Sequence, residues 1–202
     1  MANTTAPYSE VVVASMAGDL LDEFNISSLD DNSPLSRFMA REFGPVRDEV
    51  LQIYPWHVAL KRAALDPLDS EPEFGWDYQY QLPSDCLRLL PLRLDGEFNG
   101  PEIPYELEDE GRILTNASGP LYIRYVKKLT NVAKWRPLMV RVLATRLAMY
   151  ASTRITGKQN YYQKTYAEYQ RVFSEATHAD SLERGTPEDY SVDGNVFSAR
   201  GL

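Results

Sequence analysis

The stretch Leu121-Tyr122-Ile123-Arg124-Tyr125-Val126-Lys127, followed shortly by Trp135-Arg136-Pro137-Leu138, decides the fold class. The first run is the clearest strand of the chain, rich in aromatic and β-branched residues that suit a pleated surface. The second opens a helix, because Pro137 lacks the N–H that a first helical turn leaves unused anyway. Leu138, Val142, Leu143, Leu147, Tyr150 and Ala151 then form an apolar stripe at helical spacing, and Gly157 after Thr156 ends it. A second helix is expected from Lys158 to about Thr177, with Tyr162, Tyr166, Tyr169, Val172, Phe173 and Ala176 as its stripe. The short break makes the pair an antiparallel hairpin.

Upstream of Leu121, Pro67, Pro72, Pro83, Pro91, Pro101 and Pro104 exclude long helices. Short strands are expected near Val58–Leu65, Tyr78–Leu82, Leu87–Leu94, Ile103–Glu106 and Arg112–Thr115, forming with Leu121–Lys127 one small, mostly antiparallel sheet. Glu110-Gly111 and residues 116–119 read as turns. Before this region two helices are expected. One runs from Tyr8 to Phe24, capped by Ser9, with Val12, Met16, Leu20 and Phe24 recurring every fourth residue and Val13, Ala17 and Leu21 beside them. The other starts at Ser33-Pro34 and carries Leu35, Phe38, Met39, Phe43, Val46, Val50 and Ile53 to Tyr54. Gly44-Pro45 should kink or divide it. The expected fold is therefore α+β. A helical bundle (8–54 and 135–177) holds a β-rich insertion (58–127), together one domain of residues 1–180, and residues 181–202 form an extended polar arm.

Composition sets further bounds. The chain has 202 residues, 44% of them hydrophobic, and a net charge of −8. It can bury a core. The single cysteine, Cys86, precludes an intramolecular disulfide. The N-terminus lacks the basic start and apolar stretch of a signal peptide, and no apolar run has the length of a membrane span. No membrane partner is expected. Three Asn-x-Ser/Thr triplets, at Asn3, Asn25 and Asn116, read as chance.

Charge is unevenly spread. Residues 124–171 contain eleven bases and one acid, Glu168, for a local charge of +10. The remaining ten bases and 28 acids give −18. Arg124, Lys127, Lys128, Arg141, Arg146, Arg154 and Lys158 are the candidate interface residues of this basic hairpin. Three readings are open: internal pairing with the sheet, head-to-tail contact between copies, or phosphate contact with DNA.

Candidate chemistry is sparse. His57 and His178 make no cluster with Cys86 at zinc spacing, so no metal is expected. Cys86, at the start of an apolar strand, reads as a small buried residue. Gly157-Lys158 is not a phosphate loop, because Ser152 stands where the first glycine belongs and Gln159 where a hydroxyl must meet magnesium. Glu106, Glu108, Asp109 and Glu110 read as a solvated acidic turn rather than an acid–base pair or calcium loop. Tyr161, Tyr162, Tyr166 and Tyr169 suit a core edge or a protein interface. Neither catalytic residues nor a cofactor are expected.

Several stretches occur in a telling order: Trp56-His57-Val58-Ala59-Leu60-Lys61-Arg62-Ala63, Tyr80-Gln81-Leu82-Pro83-Ser84-Asp85-Cys86-Leu87-Arg88, Glu108 to Thr115, Leu121–Val126, Trp135-Arg136-Pro137-Leu138 and Ile155-Thr156-Gly157. Across roughly Val11 to Thr177 this succession resembles the head-to-tail adaptor proteins of tailed bacteriophages, including the tail tubular protein A group of short-tailed phages. The resemblance implies a non-enzymatic virion protein assembled in the host cytoplasm, in a ring of about twelve copies. Such a ring joins the portal protein to a tail or nozzle protein and passes genomic DNA through its bore without specific binding. In that family the bundle lies on the portal side and the sheet region makes lateral or distal contacts. An acidic surface would suit a bore that DNA slides through. The arm would order on a neighbour, with Tyr190, Val192, Val196 and Phe197 as apolar anchors and Arg200 as a base. The alternative is a DNA-binding accessory protein using the basic residues 124–171.

Overall fold

The computed structural model describes residues 8–23, 26–96 and 100–183. They fall into two compact units, one drawn from Met1–His57 and Thr130–Leu202, the other from Val58–Leu129. The α+β class holds, with four α-helices and two small antiparallel sheets among the described residues.

The helical unit is built on four elements. Helix α1, Glu10–Asp19, starts at Ser9, whose hydroxyl accepts from the Val12 N–H at 3.3 Å. Its buried face is Val13, Ala14, Ala17 and Gly18, continued by Leu21. The four-residue recurrence of Val12, Met16 and Leu20 is not that face, and Val12 is exposed. Small residues win the inward side because α1 packs against both α2 and α3, and short side chains let helices approach closely. Helix α2, Pro34–Ile53, is capped by Ser33 and contains Pro45 without dividing there. Phe38, Met39 and Phe43 before the proline and Val46, Val50 and Leu51 after it are all buried. Shared burial along one face holds the two halves together despite the missing backbone donor. Of the two outcomes expected at Gly44-Pro45, a kink or a division, the division does not occur: α2 is one helix through Pro45.

Helix α3, Pro137–Thr156, is buried on most sides, from Met139 and Val140 through Ala151 and Ser152. It is the central rod of the unit, packing against α1, α2 and α4. Its C-terminus is closed by Gly157 in the left-handed region (φ 66°), where the Gly157 N–H reaches Thr153 O. Helix α4, Gln159–Glu183, runs well past Thr177. Ser181–Glu183, expected at the start of the polar arm, therefore belong to the helix. The arm residues Tyr190, Val192, Val196, Phe197 and Arg200 lie outside the described residues.

The second unit holds β1 Leu60–Leu65, β2 Tyr78–Gln81, β3 Cys86–Leu89, β4 Glu106–Glu108, β5 Arg112–Thr115 and β6 Leu121–Lys127. They form two three-stranded sheets, β1-β6-β3 and β2-β5-β4, all antiparallel, rather than the single sheet expected. Tyr80, Ile113, Leu121, Ile123 and Tyr125, drawn from both sheets, make one buried core with Leu92 from the segment after β3. Side-chain alternation on β6 sends Leu121, Ile123 and Tyr125 inward.

Candidate interaction groove

Within the helical unit, one face of α2, one of α3 and the N-terminal half of α4 enclose an open groove of about 1030 Å³. Helical spacing places Phe38, Glu42 and Glu49 on the α2 wall, Arg146, Tyr150 and Arg154 on α3, and Tyr162 and Tyr166 on α4. At its floor the Arg146 side chain is 15% exposed. The Arg146 guanidinium is paired with the Glu49 carboxylate and donates to Tyr150 Oη at 2.9 Å. The Tyr150 hydroxyl donates to the same carboxylate at 2.9 Å. The guanidinium also lies over the Tyr150 and Tyr169 rings, at 4.8 and 4.9 Å from their centroids. Burial works against the Arg146 charge, but the Glu49 carboxylate together with Tyr169 and Tyr150 outweighs it, so the group stays more basic than usual. The Arg146 Nε is buried with no hydrogen-bond partner.

Tyr169 is buried beside this pair, and burial pushes its phenol up to about 12 from the ordinary 10. The stability tied to its neutral form is complete below pH 10 and is lost as pH rises from 10 through about 12. Tyrosinate absorbance should accordingly record a late-titrating phenol that Tyr169→Phe removes. An unchanged titration in that variant would refute the assignment.

Toward the groove mouth, two guanidiniums flank one ring. Arg41 and Arg154 lie 5.8 and 6.0 Å from the Phe38 centroid. Their side chains are 63% and 65% exposed, and both turn to Glu42, at 2.9 Å from Arg41 and 4.0 Å from Arg154. On the α4 wall Tyr162 and Tyr166 stack on each other, with centroids 6.1 Å apart and planes at 10°.

The basic segment does not form one patch. Arg124 and Lys127 sit on β6 and Lys128 just after it, in the sheet unit. Arg141, Arg146 and Arg154 are on α3, and Lys158 follows Gly157, its ammonium 5.8 Å from the Tyr161 ring centroid. With α4 extended to Glu183, the hairpin from Pro137 to Glu183 holds six Lys and Arg against four Asp and Glu, far from the expected excess. Its four arginines pair with carboxylates of α2 and α4: Arg141 with Glu168, Arg146 with Glu49, Arg154 with Glu42, and Arg171 with Glu168 and Glu175.

At the far end of α4, His57 is clasped by two carboxylates, its Nδ1 2.7 Å from Asp180 and its Nε2 3.2 Å from Glu183. The His57 backbone N–H also donates to Asp180 at 3.1 Å, and Arg136 meets Glu183 at 3.0 Å. Asp180 is buried, and this clasp explains why α4 continues through polar residues. His178 is exposed.

In the sheet unit the β1–β2 connection, residues 66–77, projects an acidic loop. It contains Asp66, Asp69, Glu71, Glu73 and Asp77 and no base. The loop is pinned at several points: the Leu68 N–H meets Gln79 O at 2.8 Å, Trp76 Nε1 donates to Glu106 at 3.1 Å, and the Asp77 N–H donates to Asn116 at 3.1 Å. Phe74 near its tip is 84% exposed. In the acidic turn, Glu110 has a positive φ of 60° and pairs with Arg112 at 3.0 Å, while Glu108 is exposed. Among the described residues no group of three His, Cys, Asp or Glu side chains could hold a metal ion. Cys86 is half-buried, and burial raises its thiol above the usual range. No described helix is long and apolar enough to cross a membrane. Compared with protein-family models and with curated proteins, the chain finds no match.

Proposed function

We propose that this chain is a structural virion subunit that forms a ring adaptor joining the portal to the tail or nozzle, with DNA passing through its bore. The observation that supports this most is the architecture: a helical bundle interrupted by a sheet unit, in the chain order that the adaptor resemblance implies. The stretches that carry the resemblance fall at element boundaries. Residues 56–63 span the passage into β1, Trp135–Leu138 opens α3, and Ile155–Gly157 closes it. A projecting loop with an exposed aromatic and an aromatic groove with exposed guanidiniums are features of a surface made for protein contacts.

The test is the mass of the full chain with and without portal rings built from the portal protein of the same genome. The expected result is a closed ring of many copies on the portal. Absence of any portal complex, together with salt-sensitive retardation of duplex DNA, would instead favour the accessory DNA-binding role. Against that role stands the division of the 124–171 bases between two units and the carboxylate partners of all four hairpin arginines.

A further inference from the structure

We propose that the groove receives the 66–77 loop of a second copy. Phe74 packs against the Tyr162–Tyr166 pair, and a loop carboxylate sits on Arg41 and Arg154. The proposal deepens the ring reading above and rests on it, since it names the contact that would join one copy to the next.

Two observations meet here. First, the groove mouth has more accessible positive than negative charge. Arg41 and Arg154 are both largely exposed, yet they share the single Glu42 carboxylate, which is itself 29% exposed. Glu49, the other acid of the groove, is already engaged by Arg146 and Tyr150. The site can take one more carboxylate, in a groove that is also lined by the exposed Tyr162 and the half-buried Tyr166. Second, the loop offers that pairing in one short segment. Glu73 directly precedes Phe74, Glu71 and Asp77 lie close by, and no base dilutes the charge. Phe74 is the most exposed large apolar side chain among the described residues. The backbone carrying it is held by the Leu68, Trp76 and Asp77 hydrogen bonds and by Pro67 and Pro72, so little conformational freedom is lost on docking. Because loop and groove are different surfaces, the contact is heterologous and propagates from copy to copy until it closes.

Sedimentation of the full chain at rising concentration reads the contact directly. Wild type should self-associate beyond a dimer. Phe74→Asp and Arg154→Glu should each weaken association by about thirtyfold or more while keeping wild-type melting curves. Mixed together, these two variants should stop at a one-to-one dimer, since only one intact loop and one intact groove remain. Glu73→Arg combined with Arg154→Glu should restore part of the association. A wild type that stays monomeric at millimolar concentration, or a Phe74→Asp variant that associates normally, overturns the proposal. If instead a chain ending at Glu183 loses association that Phe74→Asp retains, the occupant is the C-terminal segment and the proposal falls. Portal rings separate this from the adaptor reading. Phe74→Asp rings of normal copy number on the portal would refute the loop contact alone. Loop-dependent association without portal binding would refute the adaptor role alone.

Discussion

Trp56→Ala should lower the stability of the helical unit by about 3–5 kcal/mol. Trp56 is only 1% exposed, so its indole is replaced by a cavity rather than by water. The ring stands edge-on to Tyr54 and Phe173, at centroid distances of 4.9 and 6.1 Å, and these contacts add to the area it buries. Its Nε1–H donates to the Val50 carbonyl at 2.8 Å, closing the end of α2. For a chain of this length the loss corresponds to a fall in melting temperature of roughly 10 °C or more. Trp56→Phe keeps most of the ring packing and forfeits the donor, so its cost should be nearer 1–2 kcal/mol. Denaturant titration by circular dichroism distinguishes the two. Equal losses in both variants would mean that the hydrogen bond, not the packing, is what matters.

Glu49→Ala should cost about 3 kcal/mol, because it strands the Arg146 guanidinium in a place poor in water. Arg146 already has a buried Nε without a partner, so it depends on Glu49 and Tyr150 for compensation. Partial exposure of Glu49, at 34%, keeps the figure at the lower end of the range for buried pairs. Replacing both residues, as Glu49→Ala with Arg146→Met, should recover most of the loss, since an apolar stem against Tyr150 and Tyr169 leaves no charge to desolvate. Additive losses in the double variant would refute this account of the pair.

Local signals located most elements. Arg112–Thr115 and Leu121–Lys127 read as strands at their observed limits, and Ser33-Pro34, Pro137 and Gly157 marked helix ends through cap chemistry that acts within a few residues. What escaped depends on distant partners. Helix α4 looks finished at Thr177, yet Asp180 is held by His57, 123 positions away. On α1, Val13, Ala17 and Leu21 were legible as apolar and are buried, but the face was drawn too wide toward Val12, because Ala14, Ala17 and Gly18 are selected for closeness to α2 and α3 rather than for hydrophobicity. The division of the strands into two sheets follows from pairing choices that periodicity does not encode. Of the groove, the tyrosine cluster of α4 was visible in sequence. The Glu49–Arg146 pair was not, since 97 positions separate its members.

The pairing of Leu60 with Val126 has a kinetic consequence. Once β1 and β6 zip together, the long connection between α2 and α3 behaves as a short tether, for the strand ends that flank it are already neighbours. By the loop-closure relation, pre-formation of the sheets spares the helices about 2 kcal/mol of chain entropy. An early-collapsing insertion would thus speed the docking of α3 onto α2, and weakening the β1–β6 ladder would slow the appearance of the bundle without removing a single contact from it.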